Sequence, residues 1–141
     1  MAINEHPEIG TVLMCDFDIG FREPEMVKRR PVIVVSPKIR ARPGLCTIVA
    51  LSTTAPDPVM QYHCRVGMPG RLPDRFKAGD VWVKGDMIAA VGFHRLDLIR
   101  IGRTPDGRRR YCFDTVSDDD LKKIRKAILA GIGLAGLTKS L

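Results

Sequence analysis

Apolar residues recur along most of this chain in short β-branched runs, and only near its end at a helical spacing. The first run is residues 11–17 (TVLMCDF), entered through Pro7 and Gly10. A polar loop over residues 18–30, with Gly20 and Pro24, leads to residues 31–36 (PVIVVS), which Pro37 closes. So dense a β-branched run predicts a buried strand. A turn at 40–44 precedes residues 45–53 (LCTIVALST), a third strand that stops where Pro56 and Pro58 deny ladder donors. Residues 61–66 (QYHCRV) alternate as a strand, and 67–79, rich in Gly, Pro and Arg, read as a loop. Two strands, 81–84 and 87–91, are predicted on either side of Gly85-Asp86, followed by a turn or single helical turn at 94–97. Residues 98–103 and 109–115 flank Thr104-Pro105-Asp106-Gly107, a hairpin signal in which Pro presets the turn and Gly permits positive φ.

At Ser117 the period changes. Ser117 precedes Asp118, Asp119 and Asp120, an N-cap with acids in the first turn. Leu121, Ile124 and Ile128 make an apolar helical stripe, and Asp118–Lys122 and Asp119–Lys123 are spaced as i,i+4 pairs. The helix is predicted over about 118–131, fading at Gly131 and Gly133, and the tail 134–141 reads as a poor helix that frays. Many short strands with one terminal helix imply a mainly β domain, a small barrel or sandwich, over residues 1–141. Helices do not alternate with the strands, which argues against parallel α/β.

Composition narrows the function classes. The 141 residues carry a net charge of +7, with clusters at Lys28-Arg29-Arg30, 38–42 and Arg108-Arg109-Arg110, which favours an anionic partner. Cys15, Cys46, Cys64 and Cys112 form no C-x-x-C pair, so a zinc site is not expected and they read as reduced thiols. No apolar run approaches the ~20 residues of a membrane span. The opening residues have no basic-then-apolar leader, so a cytoplasmic protein without a signal peptide is expected. There is no Gly-rich phosphate loop and no carboxylate pair spaced for metal, so neither cofactor nor metal is expected.

Three ordered stretches carry a resemblance. They are Arg29-Arg30-Pro31-Val32-Ile33-Val34-Val35-Ser36-Pro37, then residues 47–54 (TIVALSTT), then residues 82–91 (WVKGDMIAAV). With Gly10-Thr11-Val12-Leu13 ahead of them, they span about residues 8–100 and resemble the MazF/PemK toxins of type II toxin-antitoxin systems. The resemblance implies an SH3-like β-barrel with a terminal helix, a homodimer, metal-independent endoribonuclease action on single-stranded RNA, and a cognate antitoxin. It implies a catalytic arginine at Arg30 and a catalytic hydroxyl at Ser52, or at Thr53 if the register slips by one. Arg22, Lys28, Arg29, His63 and Lys84 are the candidate RNA-binding residues. The sequence departs from the family by serine where threonine is expected, by the added hairpin at about 98–116, and by Glu23 and Glu25 near the expected phosphate.

The chemistry suits these residue types. A guanidinium fork stabilises a doubly charged phosphorane-like transition state, but with a pKa above about 12 it is a poor base. A hydroxyl orients the phosphate. The general base is open between His63, Glu23 and Glu25. Each residue also has a plainer reading. Arg30 fits a solvated strand edge, Ser52 and Thr53 fit strand-end hydroxyls, and His63 fits a packed or surface position. Trp82 fits core or dimer contact, and Arg108–Arg110 a solvated arm. A module that binds nucleic acid or protein without cutting, as a gyrase inhibitor would, is the alternative function.

Overall fold

The computed structural model describes residues 2–77 and 80–141. Among the described residues, eight strands and one α-helix account for the architecture: β1 Val12–Asp16, β2 Arg29–Val34, β3 Leu45–Ser52, β4 His63–Val66, β5 Val81–Gly92, β6 Leu96–Asp97, β7 Ile99–Arg103, β8 Arg109–Cys112 and α1 Asp118–Gly131. The first six form one antiparallel sheet in the order β4-β5-β3-β2-β1-β6, and β7 and β8 form a separate hairpin. The mainly β class with a C-terminal helix is as the sequence predicts, but the sheet is open and "barrel" is too strong a word. β6 is two residues long, and the chain then leaves into the β7–β8 hairpin, so no strand among the described residues closes the sheet back onto β4.

Alternation along the strands divides the core between the two faces of the sheet. Val12, Ile33, Val49, Leu51, Val81 and Val83 pack on one face, with Ile124 of α1 and Ile99 and Cys112 of the hairpin. Leu13, Cys15, Val32, Val34, Cys46, Ile48 and Val91 pack on the other, with Phe17, Leu96 and Ile3. Removing a side chain such as fully buried Ile124 from water contributes about 1.5–3 kcal/mol.

Two boundaries differ from expectation in ways that matter for the site. β2 begins at Arg29, because Arg29 and Arg30 pair with Asp16 and Cys15 of β1 rather than ending a loop. Gly85-Asp86 does not separate two strands; β5 runs unbroken for 12 residues. The register against β3 slips there, from Val49↔Ile88 to Ala50↔Lys84, which leaves 85–87 as a bulge. The glycine serves helix packing. A Cβ on Gly85 would lie 2.6 Å from the Ala127 backbone and 2.7 Å from the Tyr62 carbonyl oxygen, and one on Gly131 would lie 2.9 Å from the Gly85 oxygen.

The helix starts as predicted, with Ser117 Oγ accepting from the Asp120 amide at 3.1 Å. It ends in a left-handed Gly133 (φ +84). The Leu134 amide reaches Leu129 O and the Gly133 amide reaches Ala130 O, a Schellman arrangement. Lys123 pairs with Asp120 at 3.6 Å instead of Asp119 and also donates to Arg65 O, tying α1 to β4. The tail does not fray; 135–140 forms a 3-10 helix. The 67–77 loop carries a 3-10 turn at Asp74–Phe76 that buries Phe76, while Ala78 and Gly79, the end of the expected loop, lie outside the described residues.

Candidate functional site

Directly paired residues in an antiparallel sheet project to the same face. The pairs Val32↔Ala50, Ala50↔Lys84, Lys84↔His63, Ser52↔Trp82 and Trp82↔Arg65 therefore define one face. Arg30, two residues before Val32, belongs to it as well. This is the face of the second core cluster, continued beyond its apolar part into basic and aromatic residues.

Arg30 and Lys84 line one cleft of about 490 Å³ with Glu23, Pro24, Glu25, Met26, Val27 and Met87. Arg30 is half-buried, and its Nε donates to Val27 O at 2.9 Å. That bond fixes the guanidinium plane and spends the Nε arm, so an anion in the cleft would meet the Nη pair. The wall opposite is the 18–28 loop, which is well anchored. The Phe17 amide donates to Lys28 O at 2.9 Å across its base. Phe21 packs edge-on to Phe17 at 5.1 Å and lies under the Arg95 guanidinium at 4.9 Å. The Arg22 amide donates to Glu25 Oε2 at 2.9 Å, which commits that carboxylate to the loop.

The expected hydroxyls line a different cleft, although Ser52 shares the sheet face of Arg30. The β2–β3 ladder runs only from Val34↔Ile48 to Val32↔Ala50, so the strands part before Arg30 and Ser52. Ser52 and Thr53 line a second cleft, of about 380 Å³, with Arg29, Pro31, Met14 and Arg75. Ser52 is only 7% exposed, and its Oγ accepts from the Thr54 amide at 3.1 Å. Thr53 is exposed. Arg29, on the opposite face from Arg30, is held by Asp97 at 3.0 Å. The structure thus brings Arg30 together with Lys84, Glu23 and Glu25, and brings Ser52 and Thr53 together with Arg29. Lys28 (φ 71) and Arg22 are exposed on the loop and line neither cleft.

His63 shares the face of Lys84, and its Nδ1 accepts from the Met60 amide at 2.9 Å. That bond occupies Nδ1 and leaves Nε2 as the ring nitrogen available for any role at this face. The sequence reading missed Arg65, whose guanidinium lies 5.7 Å from the Trp82 ring centre. The alternation of His63 and Arg65 in QYHCRV was the available signal. Among the described residues no three His, Cys, Asp or Glu side chains gather as a metal site. Among them, too, no helix is long and apolar enough to cross a membrane.

An anchored loop thus stands over an arginine–lysine cleft at the edge of a small β domain. Residues 8–131 match the model of the PemK-like, MazF-like toxin of type II toxin-antitoxin system, and the chain belongs to this family. It is similar to the YifN protein of Escherichia coli (strain K12), 26% identical over 155 residues, covering 97% of this chain and 99% of that one. Among solved structures it resembles MazF from Deinococcus radiodurans, with a TM-score of 0.60, 18% identity, and 92% and 98% of the two chains covered. It also resembles an endoribonuclease from a mycobacterial species in complex with its cognate antitoxin, with a TM-score of 0.58, 22% identity, and 91% and 96% covered. At these identities the solved structures establish the shared fold.

Proposed function

We propose that this protein is a cytoplasmic toxin that cleaves single-stranded RNA without a metal ion, acts as a homodimer and is neutralised by a cognate antitoxin. The observation that carries the reading is the cleft in which Arg30 and Lys84 converge under Glu23. The ribose 2′-oxygen attacks phosphorus and the P–O5′ bond breaks, leaving a 2′,3′-cyclic phosphate and a 5′-hydroxyl. The Nη pair of Arg30 receives two phosphoryl oxygens as negative charge builds. Lys84 adds a second positive charge and is assigned the proton delivered to the 5′ oxygen. Glu23, unlike Glu25 not committed to the Arg22 amide, is assigned the 2′ proton. The proton lost from one oxygen is regained at the other, so the step needs no co-reactant.

Homodimer formation is supported by exposed Ile132, Leu134, Leu137 and Leu141 beside α1, and is tested by a solution mass twice 15.7 kDa. An antitoxin partner is supported by the family and by the antitoxin-bound mycobacterial relative. A second reading, a module that binds without cutting, is favoured by one observation: the hydroxyls of Ser52 and Thr53 lie in a different cleft from Arg30. Incubation with mixed RNA in EDTA separates the two. Discrete fragments ending in 2′,3′-cyclic phosphate support the nuclease; intact RNA, or cutting that returns only with magnesium, overturns it.

A further inference from the structure

The β7–β8 hairpin forms a sheet of its own; its buried residues Ile99 and Cys112 pair at its base, and half-buried Ile101 packs against the same core. Between these two residues the chain carries five arginines, one aspartate and no lysine. Arg100 is paired with Tyr111 and Arg103 with Arg109, so these four residues share the face turned away from the buried Ile99–Cys112 pair. Arg100, Arg103 and Arg109 are exposed, and Phe113, immediately after β8, is 64% exposed. The single acid, Asp106, pairs with Arg108 at the tip. Among the described residues Arg100, Arg109 and Arg110 form no ion pair, and Arg103 only donates to Gly107 O. Arg103 directly opposite Arg109 is a like-charge pair that works against the ladder. An anion between the two would relieve it.

We propose that this face is an accessory binding surface for single-stranded RNA, separate from the Arg30 cleft. It deepens the nuclease reading, on which it rests for the identity of the strand, by naming where a substrate continues beyond the cut. Three features favour a single nucleic-acid strand over an acidic protein. The cations are all guanidinium, the group whose fork fits phosphate. On this face Arg103 stands directly opposite Arg109, and Tyr111 follows Arg109 at a rise of about 6.8 Å, so cation and ring recur along one extended strand. Tyr111 and Phe113 set aromatic rings beside the cations, as a strand with unpaired bases requires and a paired duplex does not.

The test is fluorescence anisotropy with the full-length protein and a labelled 2′-O-methyl RNA of about 12 nucleotides, a length within the span a small β module covers. This RNA lacks the 2′ nucleophile, so binding is read whether or not the protein cuts. The double variant Arg100→Ser/Arg109→Ser is expected to flatten the slope of log K against log salt by about 1.4, two phosphate contacts at about 0.7 each. Arg100→Lys/Arg109→Lys restores most of the slope. Phe113→Ala weakens binding about tenfold and leaves the slope unchanged, since stacking releases no counterions. All three residues are exposed, so melting temperatures should match the parent. Unchanged binding by the double serine variant or by Phe113→Ala overturns the proposal. Equal affinity for duplex RNA or polyglutamate also overturns it, marking a generic anion surface instead. If RNA is bound as predicted but never cut, the nuclease reading fails while the hairpin surface stands.

Discussion

Replacing Gly85 with alanine tests how the fold holds Lys84 in the cleft. The added Cβ would lie 2.6 Å from both the carbonyl carbon and oxygen of Ala127 and 2.7 Å from the Tyr62 oxygen. All three are backbone atoms, so no flexible side chain can move aside. Either α1 lifts from the β5 bulge or the bulge shifts, and the 2.8 Å bond from the Gly85 amide to Tyr62 O is lost with it. Overpacking of this kind costs about 1–3 kcal/mol, and loss of the hydrogen bond adds about 1 kcal/mol. A total of about 3 kcal/mol corresponds to a fall in Tm of about 12 °C for a domain of this size, at about 4 °C per kcal/mol. Lys84 is the next residue, so the shift also moves its ammonium relative to Arg30, and RNA cleavage should fall more than stability alone explains. The control is Gly136→Ala, where nothing lies within 4 Å of the added carbon and melting should be unchanged. The assay is thermal melting by circular dichroism beside cleavage of a fluorogenic RNA. A Gly85→Ala protein that melts within about 2 °C of wild type, less than 1 kcal/mol, would refute the packing role given to this glycine.

Burial pushes the Cys15 thiol up to about 12 and the Cys46 thiol to about 11, the latter opposed by a hydrogen bond with Ser36. Because these folded values lie above the unfolded one, their stabilisation is full below about pH 8.5. It is lost as pH rises through the folded values, toward about 12. Alkaline unfolding should set in across that window, and iodoacetamide at pH 8 should label both thiols only after urea is added; rapid labelling of the native protein contradicts this. Ser52→Ala removes an acceptor used by the Thr54 amide, so it should cost about 1 kcal/mol of stability. It should lower cleavage less than Thr53→Ala, whose side chain is exposed at the second cleft. Normal melting with near-complete loss of cleavage in Ser52→Ala would reverse that order.

The strand runs, the Ser117 cap and the hairpin turn were legible because each is set by local chemistry: β-branching, a hydroxyl accepting an amide, Pro and Gly in a turn. Gly85 was misleading because the same residue type serves turns and close helix approach, and only the distant Ala127 distinguishes them. The separation of Arg30 from Ser52 was hidden for a related reason. A family motif lists both residues and alternation puts both on one face, but which cleft each lines depends on where the β2–β3 ladder ends. Glu23 and Glu25 were identifiable as neighbours of the expected phosphate. Lys84 as the close companion of Arg30 depends on the three-residue slip in β5, a property of the assembled sheet. The openness of the sheet likewise turns on β6 being two residues long, which composition does not reveal.

The central claim is that Arg30 stabilises the transition state of RNA cleavage. Its most direct test is the single-turnover cleavage rate, in EDTA, of Arg30→Ala and Arg30→Lys beside wild type, with melting curves for all three. The account predicts normal melting and a rate lowered about 100- to 1,000-fold in both variants. Lysine should rescue little, because an ammonium lacks the planar fork. An Arg30→Ala protein that melts normally and cuts at the wild-type rate would contradict it.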